Sequence, residues 1–263
     1  RKLLAIASVL VLVMALVPSP AFASPKPPDP RPVDVGPELR GWEATQERIG
    51  NTPADADAEA LAGAAAATPY NECILATKTW MVLNDYTGQY GFTNYHLVAE
   101  GPLAQIWVQA NLAWPAGDPR TTPMITCEQA QYLLGEFESN IYPTETSFFG
   151  MPDLHDGSNS LLEDWGYFPE GYYADTDGRQ VVLVSNIRDE NYFDSTYPIY
   201  IAGFYSPSYE AYFDRNVMTI DAYDWADRIG PDVARPYLYE GIFAHEYQHL
   251  LHDDYDSDEE TFI

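Results

Sequence analysis

Three side chains of this 263-residue chain have the types and spacing needed to hold and use a metal ion: His245, Glu246 and His249, in the pattern H-E-x-x-H. On an α-helix, positions i and i+4 share a face one turn apart, so the two imidazoles can bind one zinc ion together. Glu246 then lies beside that ion, where a carboxylate can take the proton of an attacking water. The chemistry implied is metal-assisted hydrolysis, with His245 and His249 as ligands and Glu246 as the general base. Leu238 and Ile242 extend the same face, and Phe243, Tyr247 and Leu250 supply apolar surface for burial. The helix is therefore apolar enough to carry an inward-facing site.

Two histidines leave the coordination set incomplete. In the pattern H-E-x-x-H-x-x-G-x-x-H, the glycine position would fall on His252 and the third histidine on Tyr255, so that solution fails. A Glu from a following helix is the other common solution. Ser257 and Glu260 form a capping box, which predicts a helix starting near Asp258. Glu260 is the candidate third ligand within the chain, and the expected donor is a Glu past residue 263. The segment from His245 to Ile263 resembles secreted bacterial zinc peptidases of the hyicolysin-like group, and more loosely enzymes of the immune inhibitor A type. The resemblance covers roughly residues 180–263 and is specific around H-E-x-x-H. It implies a gluzincin-type metallopeptidase that carries its third ligand on an Asn-Glu-Gly-like motif, of which Glu260 to Ile263 stop short.

A site of this kind needs a sheet in front of its helix. Gln180 to Ile187, Tyr200 to Tyr205 and Val217 to Tyr223 are strand candidates that precede the motif. Upstream, Thr77 to Leu83, Phe92 to Glu100 and Gln105 to Leu112 read as strands of a small antiparallel sheet. Between the two sets, Thr126 and Gln129 form a capping box, and Leu133, Phe137 and Ile141 recur at helical spacing. The expected organisation is a small β-rich domain over residues 70–125 and a zincin-like catalytic domain over 126–263, truncated at its C-terminus. The fold class is α+β, a mixed sheet packed on an active-site helix.

The N-terminus reads as an export signal over residues 1–23. Arg1 and Lys2 precede an apolar run from Leu3 to Val17, and Ala21-Phe22-Ala23 is a small-residue cleavage site. Residues 24–69 are rich in proline and then alanine, which predicts a disordered arm serving as linker or propeptide. In an exported protein Cys73 and Cys127, the only cysteines, are the natural disulfide partners. Asp175 and Asp177 lie in a turn before Gly178 and are the candidate ligands for calcium. His96 and His155 carry no motif.

Forty acidic against 13 basic residues give a formal net charge of −27. Such a surface repels phosphate backbones and anionic lipids, so nucleic acid and membrane are excluded as expected partners. Protein or peptide substrates remain. The reading is a secreted zinc endopeptidase, and the alternative is a secreted or surface zinc-binding domain whose H-E-x-x-H site is degenerate.

Overall fold

The computed structural model describes residues 29–63 and 71–256. The expected export signal and the expected capping box at Ser257 to Glu260 lie outside these residues. Seven strands form one mixed sheet: β1 Arg31–Asp34, β2 Ala76–Asn84, β3 Gln89–Glu100, β4 Ala104–Gln109, β5 Gln180–Ser185, β6 Ile199–Tyr205 and β7 Val217–Asp221. Their order is β1-β6-β7-β5-β4-β3-β2. β1 lies parallel to β6, and β4, β5 and β7 are mutually parallel, while the remaining pairs are antiparallel. The helices are α1 Gly36–Leu39, α2 Pro53–Gly63, α3 Cys127–Glu136, α4 Tyr142–Phe149, α5 Leu161–Asp164, α6 Glu190–Phe193, α7 Pro207–Phe213 and α8 Leu238–Tyr255.

The sheet has a core on each face, because side chains alternate across a strand. Val182, Val184, Met218 and Ile220 join Phe137, Phe243, Tyr247 and Leu250 on the α3/α8 face. Val181, Leu183 and Val217 join Trp80, Tyr173 and Phe213 on the other. Every residue of β4, β5 and β7 is buried, as expected of strands covered on both sides. The six strand segments expected from β-branched and aromatic runs all form strands. β2 to β4 do not make a separate small sheet, however: β4 pairs in parallel with β5, so one sheet crosses the expected boundary at residues 125 and 126.

The expected helix starts at the Thr126–Gln129 capping box, with both reciprocal hydrogen bonds formed. It passes through one π turn, Phe137–Ile141, before α4. Phe137 from that turn stacks on Phe243 at 4.6 Å and meets Tyr247 edge-on at 5.1 Å, which seats α8 on this face. Cys73 and Cys127 are disulfide-bonded across 54 residues of sequence. Closing a loop of that length contributes about 4 kcal/mol in the chain-entropy account.

The arm departs most from expectation. Within the stretch read as linker or propeptide, residues 29–57 carry β1, α1 and the start of α2. Only Leu39 and Ala56 are fully buried apolar residues there, so apolar content gave no sign of it. Edge pairing and polar contacts hold the segment instead. β1 adds to the free edge of β6, and Asp29 accepts from Arg228 at 2.5 Å and from Arg235 at 2.6 Å. Tyr212 clamps Thr45 through its hydroxyl, and Asn51 pairs with both backbone groups of Phe92.

Candidate metal centre

α8 carries His245, Glu246 and His249 on one 18-residue helix. Its entry is set by Tyr237 in the left-handed region, and Glu240 accepts from the Gly230 amide at 2.6 Å. The two rings converge, with their Nε2 atoms 3.1 Å apart. His249 is almost fully buried, and His245 is partly exposed. Glu246 is buried, and its Oε2 accepts from the Tyr205 amide at 2.9 Å. Burial pushes its carboxyl far above the usual carboxylate range, and the nearby Asp34 charge adds to this.

A third group reaches the same point from the other end of the chain. Asp34 Oδ2 lies 3.4 Å from His245 Nε2 and 3.3 Å from His249 Nε2. The strand register explains how. Val33 pairs with Ile201, but Asp34 pairs with Gly203, so a β-bulge falls between Val33 and Asp34. A bulge re-aims the side chain that follows it, here toward the helix. Asp34 Oδ1 accepts from the Gly36 amide at 2.6 Å, which fixes the carboxylate. Burial opposes ionisation of Asp34, but its hydrogen bonds to His245, His249 and the Gly36 amide prevail and hold it well below the usual range.

Gly203 lets β6 approach α8 closely. A Cβ there would lie 2.6 Å from Ile242 Cγ2, 2.9 Å from the Thr219 carbonyl oxygen and 3.4 Å from Glu246 Cγ. Gly203→Ala is expected to destabilise the fold by about 1–3 kcal/mol through overpacking. The urea unfolding midpoint measures it, and an unchanged midpoint would mean that the strand–helix spacing relaxes freely. Beside the site, a cavity of about 160 Å³ lies between β1, β6 and α8, lined in part by Pro32, Asp34, Ile242, His245 and Glu246.

The three donors suit zinc. Ligand bonds of ~2.0–2.1 Å in a tetrahedral site put neighbouring donor atoms about 3.3 Å apart. The observed separations of 3.1, 3.3 and 3.4 Å match three edges of such a figure. The geometry therefore unites His245, His249 and Glu246, and adds Asp34, which sequence reasoning missed. No local signal marks Asp34, since it stands 211 residues before His245. Glu260 lies outside the described residues. Asp175 of the candidate calcium turn is engaged by Arg179 at 2.9 Å and Arg215 at 3.0 Å, which satisfies its charge without a cation. His252 packs edge-on against Phe149.

No protein-family model matches this chain, and no curated protein is similar to it.

Proposed function

We propose that this protein is an exported zinc endopeptidase of the gluzincin type with a zincin-like catalytic fold, held latent by its own N-terminal arm. The observation that carries this reading is the donor triangle of His245, His249 and Asp34, whose edges of 3.1 to 3.4 Å fit a tetrahedral zinc ion. Zinc, when bound, supplies Lewis acidity to the scissile carbonyl and the attacking water. His245 and His249 would hold the ion, and Glu246 would accept the water's proton and deliver it to the leaving amine. The Tyr205 amide keeps the Glu246 carboxylate in place for this transfer. The export signal and the Cys73–Cys127 disulfide support an extracellular setting.

Latency follows from where the arm runs. A peptide substrate would approach the ion beside β6 and α8, where β1 pairs along the β6 edge and brings Asp34 to the two histidines. Asp34 would then occupy a position at the two histidines that the reaction needs, with Glu260 as the candidate resident third ligand. Arg40 adds a reason for the arm to be displaceable. Its Nη1 stands 3.5 Å from His249 Nδ1. A ring that binds zinc through Nε2 carries its proton on Nδ1, and that N–H has nothing to donate to in a guanidinium.

Metal analysis tests the assignment. The purified protein is expected to lose one zinc per chain when His245 or His249 is replaced by Ala, and chelation is expected to abolish cleavage of casein. Unchanged zinc content in both variants would overturn the reading.

A further inference from the structure

A second cluster of metal-ligating side chains lies apart from the one just described and takes no part in the proposed hydrolysis. His155 comes from the loop after α4, Glu210 from α7, and Asp254 from the last turn of α8. One ligand atom from each lies within 4.8 Å of the others. The segments that supply them are far apart in sequence, so the meeting point is a product of the fold.

Each member is held in a way that leaves a donor atom free for a cation. His155 Nδ1 is 3.1 Å from Asp214 Oδ1, which favours the tautomer with the proton on Nδ1. Asp214 is itself fixed, since its Oδ2 accepts from the Asn159 amide at 2.8 Å. The lone pair on His155 Nε2 then faces Glu210, whose Oε2 is 3.9 Å away, too far for a hydrogen bond. That spacing exceeds a direct contact and is short enough for a shared ion. The Glu210 side chain is nine-tenths buried, and its Oε1 has no hydrogen-bond partner. Asp254 Oδ2 accepts from the Asp153 amide at 2.9 Å, which orients the group and leaves its other oxygen available.

The charge distribution calls for a cation. Asp253 and Asp254 sit in the last turn of α8, where the helix's own partial charge is negative and carboxylates are disfavoured. Glu210 faces Asp254, Asp253 and Asp153, and burial together with these like charges pushes its carboxyl well up. A buried carboxylate in that company is costly unless something positive neutralises it.

We propose that His155 Nε2, Glu210 and Asp254 form a second divalent-cation site, with Asp214 as the residue that orients His155. One imidazole nitrogen and two carboxylates favour a first-row ion of the zinc or manganese type over calcium, which takes six to eight oxygens. The ion ties the end of the H-E-x-x-H helix to α7 and to the loop at residues 151–157. It is a structural staple on the helix that bears the catalytic residues.

The test uses the full chain, stripped of metal and equilibrated with Zn²⁺, Mn²⁺ or Ca²⁺ alone, and removes the first site to isolate the second. The His245→Ala/His249→Ala protein is expected to retain one equivalent of Zn²⁺ or Mn²⁺, and adding His155→Gln or Asp254→Asn is expected to lower this to none. The same ion is expected to raise the melting temperature of the His245→Ala/His249→Ala protein and to leave that of the His155→Gln combination unmoved. Circular dichroism identifies any variant that fails to fold, and the other substitution then decides. If the His245→Ala/His249→Ala protein binds no metal, or binds it equally well with His155 and Asp254 both replaced, the second site is wrong. Saturation by Ca²⁺ but by neither first-row ion would overturn the assigned ion class. Because the first site is absent throughout, failure here is distinct from failure of the peptidase reading.

Discussion

In a chain freed of its latch by Asp34→Ala, Glu246→Gln is expected to lower casein hydrolysis by about 10²–10⁴-fold while zinc content stays unchanged. The amide matches the carboxylate in size, and its carbonyl oxygen can still accept from the Tyr205 amide at the position Glu246 Oε2 now occupies. Packing against Gly203 is therefore preserved. What is lost is the lone pair that takes the water's proton, since an amide oxygen is too weak a base. Zinc is expected to remain because Glu246 is not one of the three donors and its Oε2 accepts from the Tyr205 amide. Metal analysis alongside the rate assay separates the outcomes. Hydrolysis at the unsubstituted rate would exclude Glu246 as the base. Loss of zinc together with activity would make it a ligand or a structural prop.

Asp34→Ala on its own is expected to raise casein hydrolysis over the unsubstituted chain, by about 10²-fold if the arm is docked in ~99 % of molecules. The substitution removes the oxygen that lies 3.3 and 3.4 Å from the two imidazoles and the acceptor for the Gly36 amide. Both losses weaken the hold of β1 on the site. The remaining anchors, Asp29 on Arg228 and Tyr212 on Thr45, stay in place, so the fold is expected to survive. Zinc is expected to be retained by His245 and His249 together with the candidate third ligand Glu260. If Asp34→Ala instead loses zinc and activity together, Asp34 is the resident third ligand. The arm would then be a permanent part of the catalytic unit. If zinc and rate are both unchanged, Asp34 neither latches the site nor completes it.

The features legible in the sequence are those set by neighbours along the chain. The i, i+4 spacing of His245 and His249 places both rings on one helical face whatever surrounds the helix, so the motif could be read directly. The same holds for the Thr126–Gln129 capping box, which closes within one turn. Val181 to Val184 and Met218 to Ile220 could be read as strands because two-sided burial demands β-branched and apolar side chains. With only two cysteines in the chain, Cys73 could pair only with Cys127, the rival being two free thiols.

Tertiary structure alone decided which distant segments meet. β1 is four residues long, mostly exposed, and follows a proline-rich stretch, so nothing in its composition demands burial or names a partner. It is a strand because β6 presents an unpaired edge, and backbone hydrogen bonds carry no sequence signature. The bulge that turns Asp34 toward the histidines depends on the register with Gly203, which exists only once the two strands have paired. Composition read residues 24–69 as linker or propeptide and could not show how 29–57 pack, because polar anchors and edge pairing, not apolar burial, hold that segment. His155 was passed over because its partners Glu210 and Asp254 lie in elements that only the packing of α7 and α8 brings beside it.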